Sequence, residues 1–121
     1  MNDVAEDEML DLTLRALADP TRRAILHLLA DGEARVTALA APFEISLNSV
    51  SKHIQALERA GLVVRRRAGR EHLLALDPDG LDRVASWIDD TRRFWTERLR
   101  ALDDLLSGPT KTKEQPRDGK S

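Results

Sequence analysis

The stretch from Ser46 to Leu62, SLNSVSKHIQALERAGL, constrains this chain more tightly than any other. Ser46 is a residue whose hydroxyl can cap the free N–H groups of a helix start, and Gly61 supplies the usual helix stop. Between them Val50, Ile54 and Leu57 recur at spacings of four and three, one apolar stripe on a helix. Asn48, Ser49, Ser51, Lys52 and Gln55 lie between, short, uncharged or basic, and rich in donors and acceptors. A helix of this kind can rest on a core and present its polar, non-acidic face to a DNA groove.

The chain then runs at once into Val63, Val64, Arg65, Arg66 and Arg67. From Lys52 to Arg70 six basic residues (Lys52, Arg59, Arg65, Arg66, Arg67, Arg70) stand against Glu58 alone, although the whole chain carries a net charge of −2. The compensating acids lie before Asp19 and from Asp77 to Asp104. One basic segment in an acidic protein marks a localised anion site, not a generally polyanion-binding chain.

A chain of 121 residues has room for one compact domain. With 3% aromatic residues its core must be built mainly from Leu, Val, Ile and Ala, which favours helix-on-helix packing over a β-sandwich. The absence of cysteine excludes disulfides, thiol catalysis and cysteine-ligated metals. No apolar run approaches the roughly 20 residues of a membrane span. The acidic start (Asp3, Glu6, Asp7, Glu8) is unlike a secretory signal, so the expected location is the cytoplasm.

Taken in order, residues 1–6 read as a disordered polar start. Met9, Leu10, Leu14 and Leu17 make an amphipathic helix over roughly Asp7 to Ala18. Asp19-Pro20, a cap followed by proline at the first helical position, opens a second helix to Ala30. It is expected to bury Ala24, Ile25, Leu28 and Leu29 and to turn Arg22 and Arg23 outward. Thr37 to Ala41 predicts a short third helix stopped by Pro42, with Phe43 and Ile45 anchoring the connection to Ser46. A short helix, a tight connection and a polar-faced second helix make a helix-turn-helix.

Val63–Arg67 and His72–Leu76 read as a two-stranded hairpin with Ala68-Gly69-Arg70-Glu71 at its tip. Such a hairpin is marginal alone, so it must lean on the helices, through Val64, Leu74 and Leu76. Asp77-Pro78 repeats the capping device and opens a long helix to about Leu106. Leu81, Ile88, Trp95 and Leu102 recur along it every seven residues, widened by Val84, Leu99, Leu105 and Leu106. One small domain cannot cover that stripe, so a second copy of the chain is expected to do so. Leu10, Leu14, Leu17, Ile88, Trp95, Leu99 and Leu102 are the candidate dimer contacts. Residues 107–121 show no apolar periodicity and are expected to be disordered, leaving 7–106 as the folded domain.

The fold class is therefore mainly α with a small β-hairpin: a winged helix-turn-helix dimerising through its N- and C-terminal helices. The segments ALADPTRRAILHLL (16–29), VTALA (36–40) and SVSKHIQALERAGLVVRRRAGREHLLAL (49–76) closely resemble the ArsR/SmtB family of bacterial transcriptional regulators, over most of residues 8–106. The resemblance implies that the Ser46 helix reads the major groove, that the hairpin touches the flanking backbone and that the terminal helices dimerise. Two departures limit it. The short helix carries Thr37-Ala38-Leu39-Ala40-Ala41 where many members have metal-sensing cysteines, and the last helix has Asp89 and Asp90 but no histidine. Metal sensing is not carried over.

The candidate DNA-binding residues are Asn48, Ser49, Ser51, Lys52, His53, Gln55, Arg65, Arg67 and Arg70. Asn48 and Ser49, in the first turn, are best placed for base edges. Lys52 is expected at a guanine edge or a phosphate, Ser51 and His53 at the backbone, and Arg70 at phosphate or in the minor groove. Alternation sends Arg65 and Arg67 to one face of the strand and Arg66 to the other. The competing roles are a solvated helix face and charges protecting an edge strand. His27, His53 and His72 have no carboxylate or nucleophile at a useful spacing, so no enzyme and no cofactor is expected. Asp89-Asp90 reads as a solvated face, with a divalent ion shared across the dimer as the alternative. Trp87, Phe94 and Trp95 read as packing residues, with a pocket for an unknown small-molecule effector as the alternative.

These features predict a sequence-specific regulator of transcription binding double-stranded DNA as a homodimer on an inverted repeat, and the family resemblance implies that it acts as a repressor. The alternative is a winged-helix module whose basic segment meets an acidic protein partner.

Overall fold

The computed structural model describes residues 4–108. The order is α1 (Val4–Leu17), α2 (Pro20–Leu29), β1 (Ala34–Arg35), α3 (Val36–Ala40), α4 (Leu47–Arg59), β2 (Val63–Ala68), β3 (Glu71–Leu76) and α5 (Pro78–Ser107). Val4–Glu6, expected in the disordered start, form the first turn of α1. Residues 1–3 and 109–121, and with them almost all of the expected tail, lie outside the described residues.

Two units are distinguished, one ending at Ser86 and one beginning at Trp87. The core of the first is aliphatic: Ile25, Leu39, Val50, Ile54, Leu57, Leu62 and Leu74 are almost wholly inaccessible to solvent. The expected stripe Val50, Ile54, Leu57 is therefore the buried face of α4. In α2 the buried set is Ile25, Leu26 and Leu29, while Leu28 is exposed, contrary to expectation. At about 100° per residue, Ile25, Leu26 and Leu29 lie within one arc and Leu28 falls on its flank. Arg22 also departs from expectation: its side chain is only 25% exposed. In α1 the deepest residues are the small Thr13 and Ala16, with Met9, Leu10, Leu14 and Leu17 half-buried around them.

Asp19 and Ser46 cap their helices, accepting from the backbone N–H of Arg22 and of Ser49. Both caps are those the residue types require. The α4–β2 turn passes through Gly61 at φ +74°, a left-handed conformation suited to glycine. The Asp77 N–H donates to the Leu62 carbonyl at 2.9 Å, and the Asp77 carboxylate accepts from the Asp79 N–H at 3.1 Å, starting α5 beside that turn. Gly80 then lies so close that a Cβ there would stand 2.2 Å from the Gly61 carbonyl oxygen.

The sheet has three antiparallel strands in the order β1-β3-β2, not the expected two. Ala34 pairs with Leu74 and Arg35 with Leu73, on the far side of β3 from β2. A two-residue strand shows no alternation, yet it gives the marginal hairpin a second pairing edge. The hairpin register runs from Val63↔Leu76 to Ala68↔Glu71, leaving Gly69 and Arg70 as the tip. Val63, not Val64, is the residue that enters the core, because it is the one that shares a face with Leu74. Ile45, expected as an anchor, is exposed, and Phe43 alone packs against the core from that connection.

In the second unit α5 continues as a single helix. Trp95, Leu99 and Leu102 are 57%, 59% and 50% exposed, and Trp87, Ile88, Phe94, Leu105 and Leu106 are exposed with them. The Phe94 and Trp95 rings meet edge to face at 6.0 Å, and the Arg98 guanidinium lies 4.8 Å from the Phe94 centroid.

Candidate nucleic-acid interface

Burying Val50, Ile54 and Leu57 fixes what α4 can present elsewhere. Asn48, Lys52 and Gln55, spaced four and three apart, are exposed along one face, with Ser51 half-buried beside them. Leu47, in the first turn, is 51% exposed. It stands three residues before Val50, on the spacing of the buried stripe, and is exposed all the same, so spacing alone does not single it out. Ser49 is partly committed to the cap: its N–H donates to Ser46 Oγ at 3.0 Å, and the Ser46 hydroxyl donates to its Oγ at 3.0 Å. His53 is half-buried and turned toward the start of α2, its Nδ1 3.9 Å from Asp19 Oδ2. The Asp19 carboxyl is held below the ordinary aspartate value, first by the Arg22 N–H, against partial burial, and then by the charges of His53 and Arg22.

The three consecutive arginines separate. Arg65 reaches back to α4 and donates through Nε and Nη2 to both Glu58 carboxylate oxygens, at 3.0 and 2.8 Å. Arg66, on the opposite face of β2, makes the same two-pronged contact with Glu33 at 2.9 and 2.7 Å. Each guanidinium is pushed above its usual pKa chiefly by hydrogen bonding to its carboxylate, and Glu33 is lowered by the same contact. Among the described residues, the Arg67 and Arg70 side chains make no hydrogen bond or ion pair, and both are exposed. The expected split of Arg65 from Arg66 thus holds, but Arg65 turns its Nε and Nη2 donors to Glu58 on α4.

Sequence reasoning counted Glu58 as the lone acid of the basic segment without finding its partner. A strand leaving the turn at Gly61 runs back beside the helix, which was the available signal. Glu33 gave none, since its position depends on β1.

The other candidate residues are placed as follows. Leu10, Leu14 and Leu17 are half-buried in the first unit, and Ile88, Trp95, Leu99 and Leu102 are exposed in the second. Asp90 forms an ion pair with Arg93. Among the described residues no group of three or more His, Asp or Glu is placed to hold a metal, and no helix is long and apolar enough to cross a membrane.

A capped helix with an unobstructed polar face, preceded by a short helix and followed by an antiparallel basic hairpin, defines a winged helix-turn-helix protein. A helix-turn-helix domain family matches residues 17–66. The chain is 41% identical over 96 residues to the HTH-type transcriptional regulator Rv2034 of Mycobacterium tuberculosis, spanning 79% of this chain and 87% of that one. It is 34% identical over 80 residues to the arsenical resistance operon repressor of Staphylococcus xylosus, spanning 66% and 77%. Among solved structures it matches the ArsR family transcriptional regulator RHA00566 at a TM-score of 0.72 and 36% identity, over 79% of this chain and 97% of that one. A homodimeric winged helix-turn-helix DNA-binding domain of Mycobacterium bovis matches at a TM-score of 0.61 and 29% identity, over 81% and 93%. The chain belongs to the ArsR family of winged helix-turn-helix transcriptional regulators.

Proposed function

We propose that this protein is a cytoplasmic repressor that binds an inverted-repeat operator as a homodimer, acting by occupancy and not by catalysis. The observation that carries this reading is the division of α4. Its apolar stripe is sealed into the core, while Asn48, Lys52 and Gln55 stand free on the other side. The first turn enters the major groove, with Asn48 and Lys52 at base edges and Leu47 against a thymine methyl. Ser51 contacts the backbone. Arg67 and Arg70 on the wing meet phosphates, which fix register without reading sequence. Ser49 and His53 play smaller parts, since one serves the cap and the other faces α2.

A second copy covers the exposed Ile88, Trp95, Leu99 and Leu102 together with the half-buried leucines of α1, and so sets two reading helices about 34 Å apart. Repression is supported by the relative named as an operon repressor, and dimerisation by the homodimeric neighbour. The test is fluorescence anisotropy with a random duplex at low salt and with DNA from upstream of the gene itself. Wild-type protein is expected to bind both and to prefer the second. Unchanged affinity in folded Lys52→Ala and Arg70→Ala variants would refute the placement.

A further inference from the structure

Two carboxylates hold the wing from its two faces, and one of them belongs to the reading helix. Arg65 pairs across the hairpin with the buried Leu74, so it leaves the strand on the core side and meets Glu58 in the last turn of α4. Arg66 pairs with Leu73 and leaves by the other side, toward Glu33 just before β1. The Arg65–Glu58 side chains are 30% and 26% exposed, so water competes for them less than for an open surface pair. A planar guanidinium that meets both oxygens of a carboxylate also fixes an angle, which a single contact does not. Arg65 stands about 13 Å along the strand from the tip at Gly69. A small rotation at its position therefore displaces Arg67 and Arg70 by much more.

We propose that Glu58 and Arg65 form a strut that sets the angle of the wing on the reading helix, making both positioning residues for DNA recognition and not DNA contacts. This inference rests on the DNA-binding reading above. It reassigns Arg65, whose Nε and Nη2 donors are committed to Glu58 inside the protein, and gives a role to an acidic residue in the basic segment. Without the strut the wing is free to rock, and the phosphate contacts of Arg67 and Arg70 must order it on binding.

The test measures binding of the full-length protein to a random-sequence duplex over a range of salt concentrations. It compares wild type, Glu58→Ala, Arg65→Ala, the double alanine variant and the exchanged pair Glu58→Arg/Arg65→Glu. Each single alanine variant is expected to weaken binding by about ten-fold, and the double variant by no more than either alone, as for two halves of one device. The slope of log affinity against log salt should fall by about 0.9 for every phosphate that the loosened wing no longer reaches, although Arg67 and Arg70 are intact. The exchanged pair should recover most of both quantities, and amide exchange across residues 63–76 should be faster in the alanine variants only. Tighter binding by Glu58→Ala, with weaker binding by Arg65→Ala and no recovery on exchange, would overturn the strut and make Arg65 a phosphate contact that Glu58 restrains. Wild-type affinity in every variant would overturn it as well. If an alanine variant fails to fold by circular dichroism, Glu58→Gln replaces it and is read the same way. Failure of the wild type to bind any duplex is a different result, and removes the DNA-binding reading together with the strut.

Discussion

Thr13 Oγ1 lies 2.8 Å from the carbonyl oxygen of Ala60, joining α1 to the end of α4 across 47 residues of sequence. The Thr13 side chain is wholly buried, and its single hydroxyl hydrogen is shared with the Met9 carbonyl, also at 2.8 Å. The carbonyls of a last helical turn have no partner within the helix. Thr13 supplies one without admitting water, and thereby fixes where α4 ends relative to α1.

Thr13→Val keeps the shape and removes the donor. It should lower unfolding free energy by about 1–3 kcal/mol, because the Ala60 carbonyl is left buried and unpaired. Thr13→Ser, which keeps the donor, should lose less. Urea denaturation of the two variants separates hydrogen bonding from packing, and equal losses would contradict the assignment.

Gly80→Ala should also destabilise, by about 1–3 kcal/mol as in an overpacked core. Its new methyl group would sit 2.2 Å from the Gly61 carbonyl, a backbone atom that cannot swing aside. Asp79→Ala, one residue earlier and exposed, is the control. A thermal midpoint unchanged in Gly80→Ala would show that α5 can start elsewhere.

The capping contact of Asp19 carries a pH signature. Its carboxyl is depressed in the folded protein, chiefly by the Arg22 N–H. The stabilisation it gives is therefore present above the unfolded value, about 3.9, and is lost as pH falls through the lower folded value. Asp19→Ala should cost about 1 kcal/mol at neutral pH, with the difference from wild type shrinking in acid. A difference that stayed constant down to the acid transition would rule out the carboxylate as its source.

Lys52 and Arg70 should fail in different ways. Lys52→Ala is expected to lose about 1–3 kcal/mol of discrimination at one operator position. Arg70→Ala should weaken all sequences alike and reduce the salt slope by about 0.9. Binding selections from a randomised pool, repeated at two salt concentrations, tell these apart.

A charge placed on the apolar face of α5 should separate the protomers. Trp95→Asp or Leu99→Asp, at positions more than half exposed in the single chain, should shift sedimentation from dimer toward monomer and reduce operator affinity. A dimer of wild-type strength in both variants would move the interface elsewhere.

The residue order by itself determined the helices with caps, the apolar stripe of α4, the hairpin and the resemblance to the family. Each of these follows from local rules: Asp19 and Ser46 cap, Gly61 stops, and Val50, Ile54 and Leu57 repeat at helical spacing. Only the tertiary structure decided what depends on which elements meet. It buried Leu26 in place of Leu28 and Val63 in place of Val64, because a partner covers only part of an apolar arc. It added β1, too short to leave a periodic trace, and it drew Arg65 and Arg66 to carboxylates on opposite sides of the wing. Charge pairing between segments far apart in sequence has no local signature, and for that reason the arginines free to meet DNA could be chosen only once the chain was folded.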